Sequence, residues 1–175
     1  ALLLLLVGLA RLPWSELTLR RAWRAGRVSD AAFYAHLSPA GGANDVDPAE
    51  TLRAAAWARA HVAPEQTLLV WGFEPAVNFL SRRVCPTRYI YDYFLTSPAI
   101  PPRAQERYWG LFRADLAARP ADWLAVVSGD ANPVEAIDSA TQLQREPELR
   151  RLLAERYEPV ERVGDFAFYR LRRAP

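Results

Sequence analysis

The chain lacks methionine and lysine and has a single cysteine, Cys85, among its 175 residues. One cysteine cannot form an intrachain disulfide, and a lone cysteine in an apolar stretch is usually a small buried side chain. Because lysine is absent, all 22 basic residues are arginine, a bias typical of a GC-rich genome, and 20 acidic residues balance them. The net charge of +2 is too small to indicate an electrostatic nucleic-acid partner, and we expect none.

Sequence signatures of metal binding and of nucleotide chemistry are also missing. His36 and His61 are isolated, with no second ligand at helical spacing, so we expect no metal site at either. The motifs GxxxxGK, GxGxxG and GxSxG do not occur. We therefore expect no cofactor, and no motif indicates a Ser/His/Asp catalytic set.

Apolar residues are abundant, with 51% of the chain hydrophobic and 11% aromatic. A chain of this length is one domain's worth, and it buries roughly two-thirds of the surface of its unfolded state. The first ten residues, ALLLLLVGLA, are too few to span a bilayer, which needs about 20. They could be the end of a membrane helix, a remnant of a signal peptide, or a buried first helix. The arginines and Trp14 that follow favour the interfacial end of a membrane span.

The rest of the N-terminal region predicts short helices and a linker. Because a natural chain starts with methionine, we expect residue 1 to be a processing site or a cut end. Ser15 and Ser29 can each cap a short helix, and SPAGGANDVDP, residues 38–48, has the composition of a loop. We divide the chain into a membrane-proximal segment, 1–40, a linker-like loop, 41–47, and a globular domain, 48–175.

Predicted helices and strands alternate from residue 48 onward. The predicted strands are 67–71, 88–91, 122–128 and the two arms of a tight hairpin around Gly164–Asp165. The predicted helices start at the capping motifs Asp47–Glu50 and Asn132–Glu135, at Pro75, at about residue 103 and at Pro147. This pattern predicts a three-layer α/β fold, with a mostly parallel sheet of about five strands and an antiparallel C-terminal hairpin.

Polar side chains follow two of the predicted strands where each strand ends in a glycine. In open α/β sheets, ligands bind beyond the carboxyl ends of the strands, so Glu74, Asp130 and Asn132 are expected on one rim if their strands are adjacent. A pair of carboxylates there could bind a metal or serve as acid and base. The simpler interpretation is that these side chains cap the following helices. The candidate ligand-binding residues are Trp71, Glu74, Arg88, Tyr91, Asp130 and Asn132, and none is assigned a catalytic role.

Arginines and tyrosines lie close together around the predicted second strand. Arg82, Arg83 and Arg88 could fork onto a phosphate of a lipid or of a sugar nucleotide. A solvated helix end followed by tyrosines on a strand surface is the commoner arrangement for such residues, and it is the interpretation that we favour.

The run VWGFEPAVNFLSRRVCPTRYIYDYFL, residues 70–95, carries a family resemblance. It resembles the region after the last membrane helix in bacterial multi-spanning glycosyltransferases that use polyprenyl-phosphate sugars, such as protein mannosyltransferases and lipid A aminoarabinose transferases. The ending YEPVERVGDFAFYRLR is similar to the closing hairpin of that region. The resemblance covers roughly residues 29–173. The matching positions are Val70, Trp71, Gly72, Glu74, Pro75, Phe79, Arg83, Arg88, Tyr89 and Tyr91.

This resemblance implies a non-catalytic role for the chain. The catalytic carboxylate of that family lies in the first external loop of the membrane portion, so no residue here inherits it, and the chain alone is expected to be inactive. The resemblance further implies a membrane-tethered domain that faces the periplasm or the cell exterior. Its partners would be the membrane portion of the same polypeptide and a glycan or lipid-linked sugar acceptor.

Two other functions fit the residues. The chain could be a free-standing exported α/β module that binds carbohydrate or another ligand. It could also be a small hydrolase or transferase with its site at the Gly72 and Gly129 loops.

Overall fold

The computed structural model describes residues 14–37, 47–132 and 135–172. The chain divides into two compact units, residues 1–40 and 41–175. Within the described ranges, no helix is long and apolar enough to cross a membrane. The apolar decamer that predicts the end of a membrane span lies outside those ranges.

In the first unit, the described residues 14–37 form two short helices, α1 (Trp14–Arg24) and α2 (Asp30–Leu37). Ser29 caps α2 as predicted, because its hydroxyl accepts a hydrogen bond from the Ala32 backbone N–H at 3.2 Å. Ser15 lies inside α1, so the cap predicted there is wrong. The Trp23 and Phe33 rings stack with their centroids 4.4 Å apart, which holds the two helices together.

The second unit contains a sheet with helices before, between and after its strands. The helices are α3 (Pro48–His61), α4 (Ala76–Ser81), α5 (Tyr93–Thr96), α6 (Pro102–Ala118), α7 (Ser139–Arg145) and α8 (Pro147–Arg156). The strands are β1 (Leu68–Trp71), β2 (Trp123–Val127), β3 (Tyr157–Val163) and β4 (Phe166–Leu171). Helix α3 starts as its motif predicts, with the Asp47 carboxylate accepting from the Ala49 N–H at 2.8 Å.

The four strands form one sheet in the order β1-β2-β4-β3. Strands β1 and β2 are parallel, whereas β4 pairs antiparallel with both β2 and β3. The α/β class and the antiparallel C-terminal hairpin are therefore confirmed. One of the three pairings in this sheet is parallel, where we expected a mostly parallel sheet.

The strand predicted at residues 88–91 is wrong, because this segment is a loop. Only one residue of the preceding segment reaches the edge of β1, where the Leu68 N–H donates to the Val84 carbonyl at 3.0 Å. Beyond that point the chain leaves the sheet. The Arg88 N–H, which a strand would use in the ladder, donates instead to the Asp115 carboxylate on α6 at 3.0 Å.

The helix predicted to begin at Asn132–Glu135 begins instead at Ser139. The Asn132 side chain accepts from the Glu135 N–H at 3.0 Å and so closes a turn rather than a helical cap. The cap belongs to Asp138, whose Oδ1 accepts from the Thr141 N–H at 3.0 Å. The motif therefore predicted a polar side-chain cap for this helix correctly but placed the cap at Asn132, six residues before Asp138.

The sheet is buried on both faces, as the continuous apolar runs of β1 and β2 predict. Because side chains alternate along a strand, Leu68 and Val70 face one core cluster and Leu69 and Trp71 face the other. The first cluster includes the small side chains of α3, such as Ala54. The second contains apolar residues of α5, α6, α7 and α8. Helices therefore cover both faces, and the predicted three layers are confirmed.

Candidate functional site

The two glycine loops at the carboxyl ends of β1 and β2 lie side by side. Gly72 has a φ of +150°, and a Cβ added there would lie 2.3 Å from Val127 Cγ2, so only glycine permits this approach. The same Cβ would lie 3.0 Å from Asp130 Oδ2. The predicted adjacency of these loops therefore holds, and the parallel pairing of β1 and β2 is its cause.

Asp130 lies in the centre of this edge and is buried. Its Oδ2 accepts from the Phe73 N–H at 3.0 Å and from the Ser139 hydroxyl at 2.7 Å. Its Oδ1 accepts from the Ser139 N–H at 2.9 Å, at the first residue of α7. The carboxylate thus ties the loop after β1 to the first residue of α7, while the N-cap residue of that helix is Asp138.

Asn132 is also buried and also serves the backbone. Its Nδ2 donates to the Asp130 carbonyl at 3.1 Å, and its Oδ1 closes the turn with Glu135 described above. The Gly129 N–H donates to the Asp138 carboxylate, which closes the same loop from its other end. The polar groups after β2 therefore shape the loop that carries them.

Two further carboxyl groups, Asp92 and Glu135, are buried near Asp130. Burial raises the pKa of Asp92 from 3.8 to about 7; the Ser139 hydroxyl opposes this rise and the negative charge of Asp130 adds to it. Asp92 Oδ2 and Glu135 Oε1 have no hydrogen-bond partner within the described residues. The same part of the chain holds no group of three or more His, Cys, Asp or Glu residues placed to bind a metal.

Trp71 is a core residue rather than a rim residue. Its side chain is 2% exposed, and its indole N–H donates to the Ser139 carbonyl at 3.1 Å. The ring lies 6.0 Å from those of Trp109 and Phe112 on α6. This position places Trp71 beneath the edge, where it supports the loops without facing solvent.

Arg88 is exposed, but its guanidinium is already engaged. Its Nε and Nη2 donate to the two oxygens of Asp115, each at 2.9 Å, which is the bidentate geometry of an arginine–carboxylate pair. Hydrogen bonds from Arg88 lower the pKa of Asp115. Arg88 therefore anchors the loop after α4 to α6.

Arg83 is likewise engaged, in the interior. Its guanidinium donates to the backbone carbonyls of Val62, Arg59 and Ser81 at 2.8, 2.9 and 3.0 Å. Arg82 is exposed and ends α4 in the left-handed conformation, with a φ of 59°. Arg82 is thus exposed, Arg83 is bound to interior carbonyls and Arg88 is paired with Asp115. These separate positions do not support the alternative in which the three arginines bind one phosphate.

Glu74 lies on the loop after β1 and is half-buried. Its backbone carbonyl accepts from the Val77 N–H at 3.4 Å. The cap position of α4 is Pro75, one residue after Glu74, and it carries no side-chain hydrogen bond.

Tyr91 belongs to a group of aromatic rings on the outside of this edge. Its ring centroid lies 5.3 Å from that of Phe73 and 5.7 Å from that of Phe94. Tyr93 lies 5.6 Å from Phe94 and 6.3 Å from Phe73. We call these four residues the aromatic surface. Phe73 and Phe94 are each 36% exposed, and Tyr91 and Tyr93 are half-buried.

The sequence prediction included Tyr91 but missed the other three members of the aromatic surface. The density of rings in YIYDYF, residues 89–94, was the available signal. Phe73 gave no signal in the sequence, because it comes close to Tyr91 only in the folded chain. There its backbone N–H donates to the Asp130 carboxylate, which fixes the loop after β1.

Comparisons with known proteins give no family. No protein-family model matches the chain, and no curated protein matches it. Among solved structures, a match is the C-terminal globular domain of an oligosaccharyltransferase from Archaeoglobus fulgidus. It is 10% identical with a TM-score of 0.39, and the alignment covers 70% of this chain and 97% of that one. A likeness at this level identifies neither a shared fold nor a function.

Proposed function

We propose that the chain is a non-catalytic domain of a membrane glycosyltransferase that transfers a sugar from a lipid-phosphate donor. In this proposal it helps an acceptor reach the membrane-embedded site, or binds a partner there. The resemblance of residues 70–95 to the soluble region of such enzymes supports it. So does the structural role of Asp130, whose carboxylate accepts three hydrogen bonds from the loop after β1 and the start of α7.

The observation that carries the proposal is the exposed aromatic surface at the carboxyl end of β1. Sugars present apolar C–H faces that stack on aromatic rings, whereas tyrosine hydroxyls can bond to sugar hydroxyls. Phe73 and Tyr91 meet edge to face, with an interplanar angle of 61°, so the surface offers two differently inclined ring faces. We propose that a glycan of the acceptor packs on these rings, with Glu74 on the adjoining loop as a candidate hydrogen-bonding group.

We further propose how the chain is arranged around this surface. Residues 1–40 form the membrane-proximal segment, 41–47 the linker-like loop, and 48–175 the domain that faces the periplasm or the cell exterior. The membrane portion of the same polypeptide is then the partner that supplies the catalytic carboxylate. In this arrangement the domain needs no acid–base pair of its own.

The complete coding sequence and a turnover assay together test the proposal. We expect the full reading frame to encode about ten or more hydrophobic spans upstream of these residues. We also expect the 175-residue chain alone to show no transfer or hydrolysis of lipid-linked sugars. A reading frame that encodes only these residues behind a cleavable leader would contradict the proposal.

A glycan-binding module that stands alone is the second candidate, and the aromatic surface favours it equally. The domain of a membrane enzyme and the free-standing module differ in the rest of the polypeptide. Saccharide binding by the chain, together with a reading frame that encodes no membrane spans, would support the free-standing module. Turnover by the isolated chain that Asp130→Ala abolishes while the fold persists would select a hydrolase at the glycine loops.

A further inference from the structure

A second exposed surface lies on α4 and the segment after it, next to the edge of the sheet. Phe79 is 83% exposed and Val84 is 60% exposed, the two highest values among the large exposed apolar side chains of the described ranges. A shallow groove beside Phe79 is lined by Arg59, Asn78, Leu80, Arg82, Arg83 and Val84. We call Phe79, Val84, Arg59 and Arg82 the basic apolar patch.

The exposure of Phe79 is fixed by the packing of α4. Val77, Asn78 and Ser81 are buried, so the inward face of this six-residue helix is occupied. Asn78 holds that face in place, because its Nδ2 donates to the Leu68 carbonyl of β1 at 2.8 Å. Phe79 therefore points outward from a helix whose opposite face is packed, and most of its side chain lies outside the core.

The charge around Phe79 has one sign. None of the residues that line the groove is acidic. Arg59, Arg82 and Arg83 form no ion pair with another described residue, since the guanidinium of Arg83 binds only carbonyl oxygens and that of Arg59 binds the Leu80 carbonyl. Two exposed positive charges, those of Arg59 and Arg82, thus lie beside the apolar side chains without an ion-pair partner among the described residues.

We propose that the basic apolar patch binds the surface of an anionic lipid bilayer. Phe79 and Val84 enter the boundary between headgroups and acyl chains, and Arg59 and Arg82 lie against the lipid phosphates. Apolar side chains surrounded by basic residues give this mode of peripheral binding, in which buried apolar area and attraction to anionic lipids act together. The inference goes beyond the proposed function, because it assigns a surface that faces the membrane and does not involve the glycan.

The patch fits a lipid surface better than a protein partner. A specific protein interface buries about 800 Å² on each side and has a central cluster of apolar anchors. Here two apolar side chains protrude and positive charge surrounds them. A bilayer accepts such a small wedge because it needs no complementary shape, and its phosphates supply the opposite charge.

Site-specific fluorescence in the full chain tests this inference. An environment-sensitive fluorophore is attached at Phe79→Cys in a Cys85→Ser background, and at Val160→Cys in the same background as a matched control. Val160 is 44% exposed on β3 and belongs to a different element. With vesicles of phosphatidylcholine and phosphatidylglycerol, we expect a blue shift and a rise in emission at position 79 and neither at position 160. Adding Arg82→Gln should raise the lipid concentration at half-maximal shift about fivefold.

Three outcomes would overturn the proposal. The first is an unchanged emission at position 79, with circular dichroism showing that the labelled chain is folded. The second is an equal response at positions 79 and 160, or an equal response to vesicles of phosphatidylcholine alone. The third is a blue shift at position 79 that grows with protein concentration without vesicles, because a second copy of the chain would then cover the patch. None of these outcomes would bear on the glycan contact.

Discussion

Asp130 and Ser139 form a two-point contact in which one carboxylate accepts from both the hydroxyl and the backbone N–H of the serine, at 2.7 and 2.9 Å. The Oδ2 atom of Asp130 also accepts from the Phe73 N–H at 3.0 Å. A single buried side chain therefore joins the loop after β1, the loop after β2 and the start of α7. The contact explains how an acid at the carboxyl edge of this sheet stabilises the structure.

Asp130→Ala should destabilise the domain by about 3 kcal/mol or more, because it leaves buried donors without a charged acceptor. Asp138→Ala is the control on the same loop: it removes a less buried carboxylate that caps α7 and accepts from the Gly129 N–H, and it should cost about 1 to 2 kcal/mol. Urea unfolding followed by circular dichroism measures both. Equal losses for the two variants would contradict the central role of Asp130.

Asp92 should make stability fall as the pH rises. The folded state binds its proton more tightly than the unfolded state, with a pKa of about 7 against 3.8. Ionising the buried carboxyl therefore costs no stability at a pH below the pKa of the unfolded state. The full cost is reached at a pH above the pKa of the folded state. At 1.36 kcal/mol for each pKa unit, this cost is at most about 4 kcal/mol.

Comparison of the parent chain with Asp92→Asn isolates that contribution. Burial also raises the pKa of Asp165. Because Asp165 is present in both chains, its contribution to the pH dependence cancels in the comparison. We expect Asp92→Asn to be the more stable chain at a pH above about 7, and the difference to shrink as the pH falls towards about 4. Unfolding free energies that run parallel across this window would show that Asp92 does not titrate in it.

Gly72→Ala should destabilise the domain by about 2 to 4 kcal/mol, because the new methyl group meets Val127 and the positive φ strains an L residue. Gly110→Ala is the matched control: Gly110 lies within α6, and a Cβ there has no other heavy atom within 4 Å. That change should stabilise the helix by up to about 1 kcal/mol. Opposite shifts of the melting temperature are expected, and a neutral Gly72→Ala would contradict the close approach of the two loops.

Removing Asp115 should weaken the domain more than removing Arg88. Asp115→Ala loses both arms of the guanidinium fork and the hydrogen bond to the Arg88 backbone N–H, whereas Arg88→Ala keeps the backbone bond. Added salt should reduce the loss in Arg88→Ala, because exposed ion pairs are screened. Thermal melts of both variants at low and high salt test this order. The reverse order would mean that the ion pair, and not the backbone contact, holds the loop.

Sequence patterns predicted the elements whose signals are local. The apolar runs of β1 and β2, the cap at Asp47 and the turn at Gly164–Asp165 each depend on neighbouring residues, and the structure has all of them. The segment at residues 88–91 has strand-like composition, but strand propensity reflects the surface that a segment packs on. Its backbone is captured by Asp115, 27 residues away, which no local pattern encodes.

The candidate site was predictable in position but not in detail. The adjacency of the glycine loops followed from two parallel strands. Whether a polar side chain at that edge faces solvent or the interior depends on its long-range partners, and Asp130 and Trp71 both turn inward towards Ser139. The aromatic surface shows the opposite outcome, in which side chains at the same edge remain partly exposed. Phe73 contacts Tyr91 only once the loop that follows β1 has folded.

The central claim, that the aromatic surface binds the acceptor in the proposed glycosyltransferase, is tested most directly by the acceptor KM of the full-length protein. Tyr91→Ala and Phe73→Ala should each raise the KM for the glycan acceptor about fivefold and leave kcat and the donor KM unchanged, because the rings would bind acceptor without touching the reacting atoms. Val160→Ala, an exposed apolar truncation on β3, should change none of these constants. Wild-type values of the acceptor KM in both aromatic variants, with the fold intact, would contradict the account.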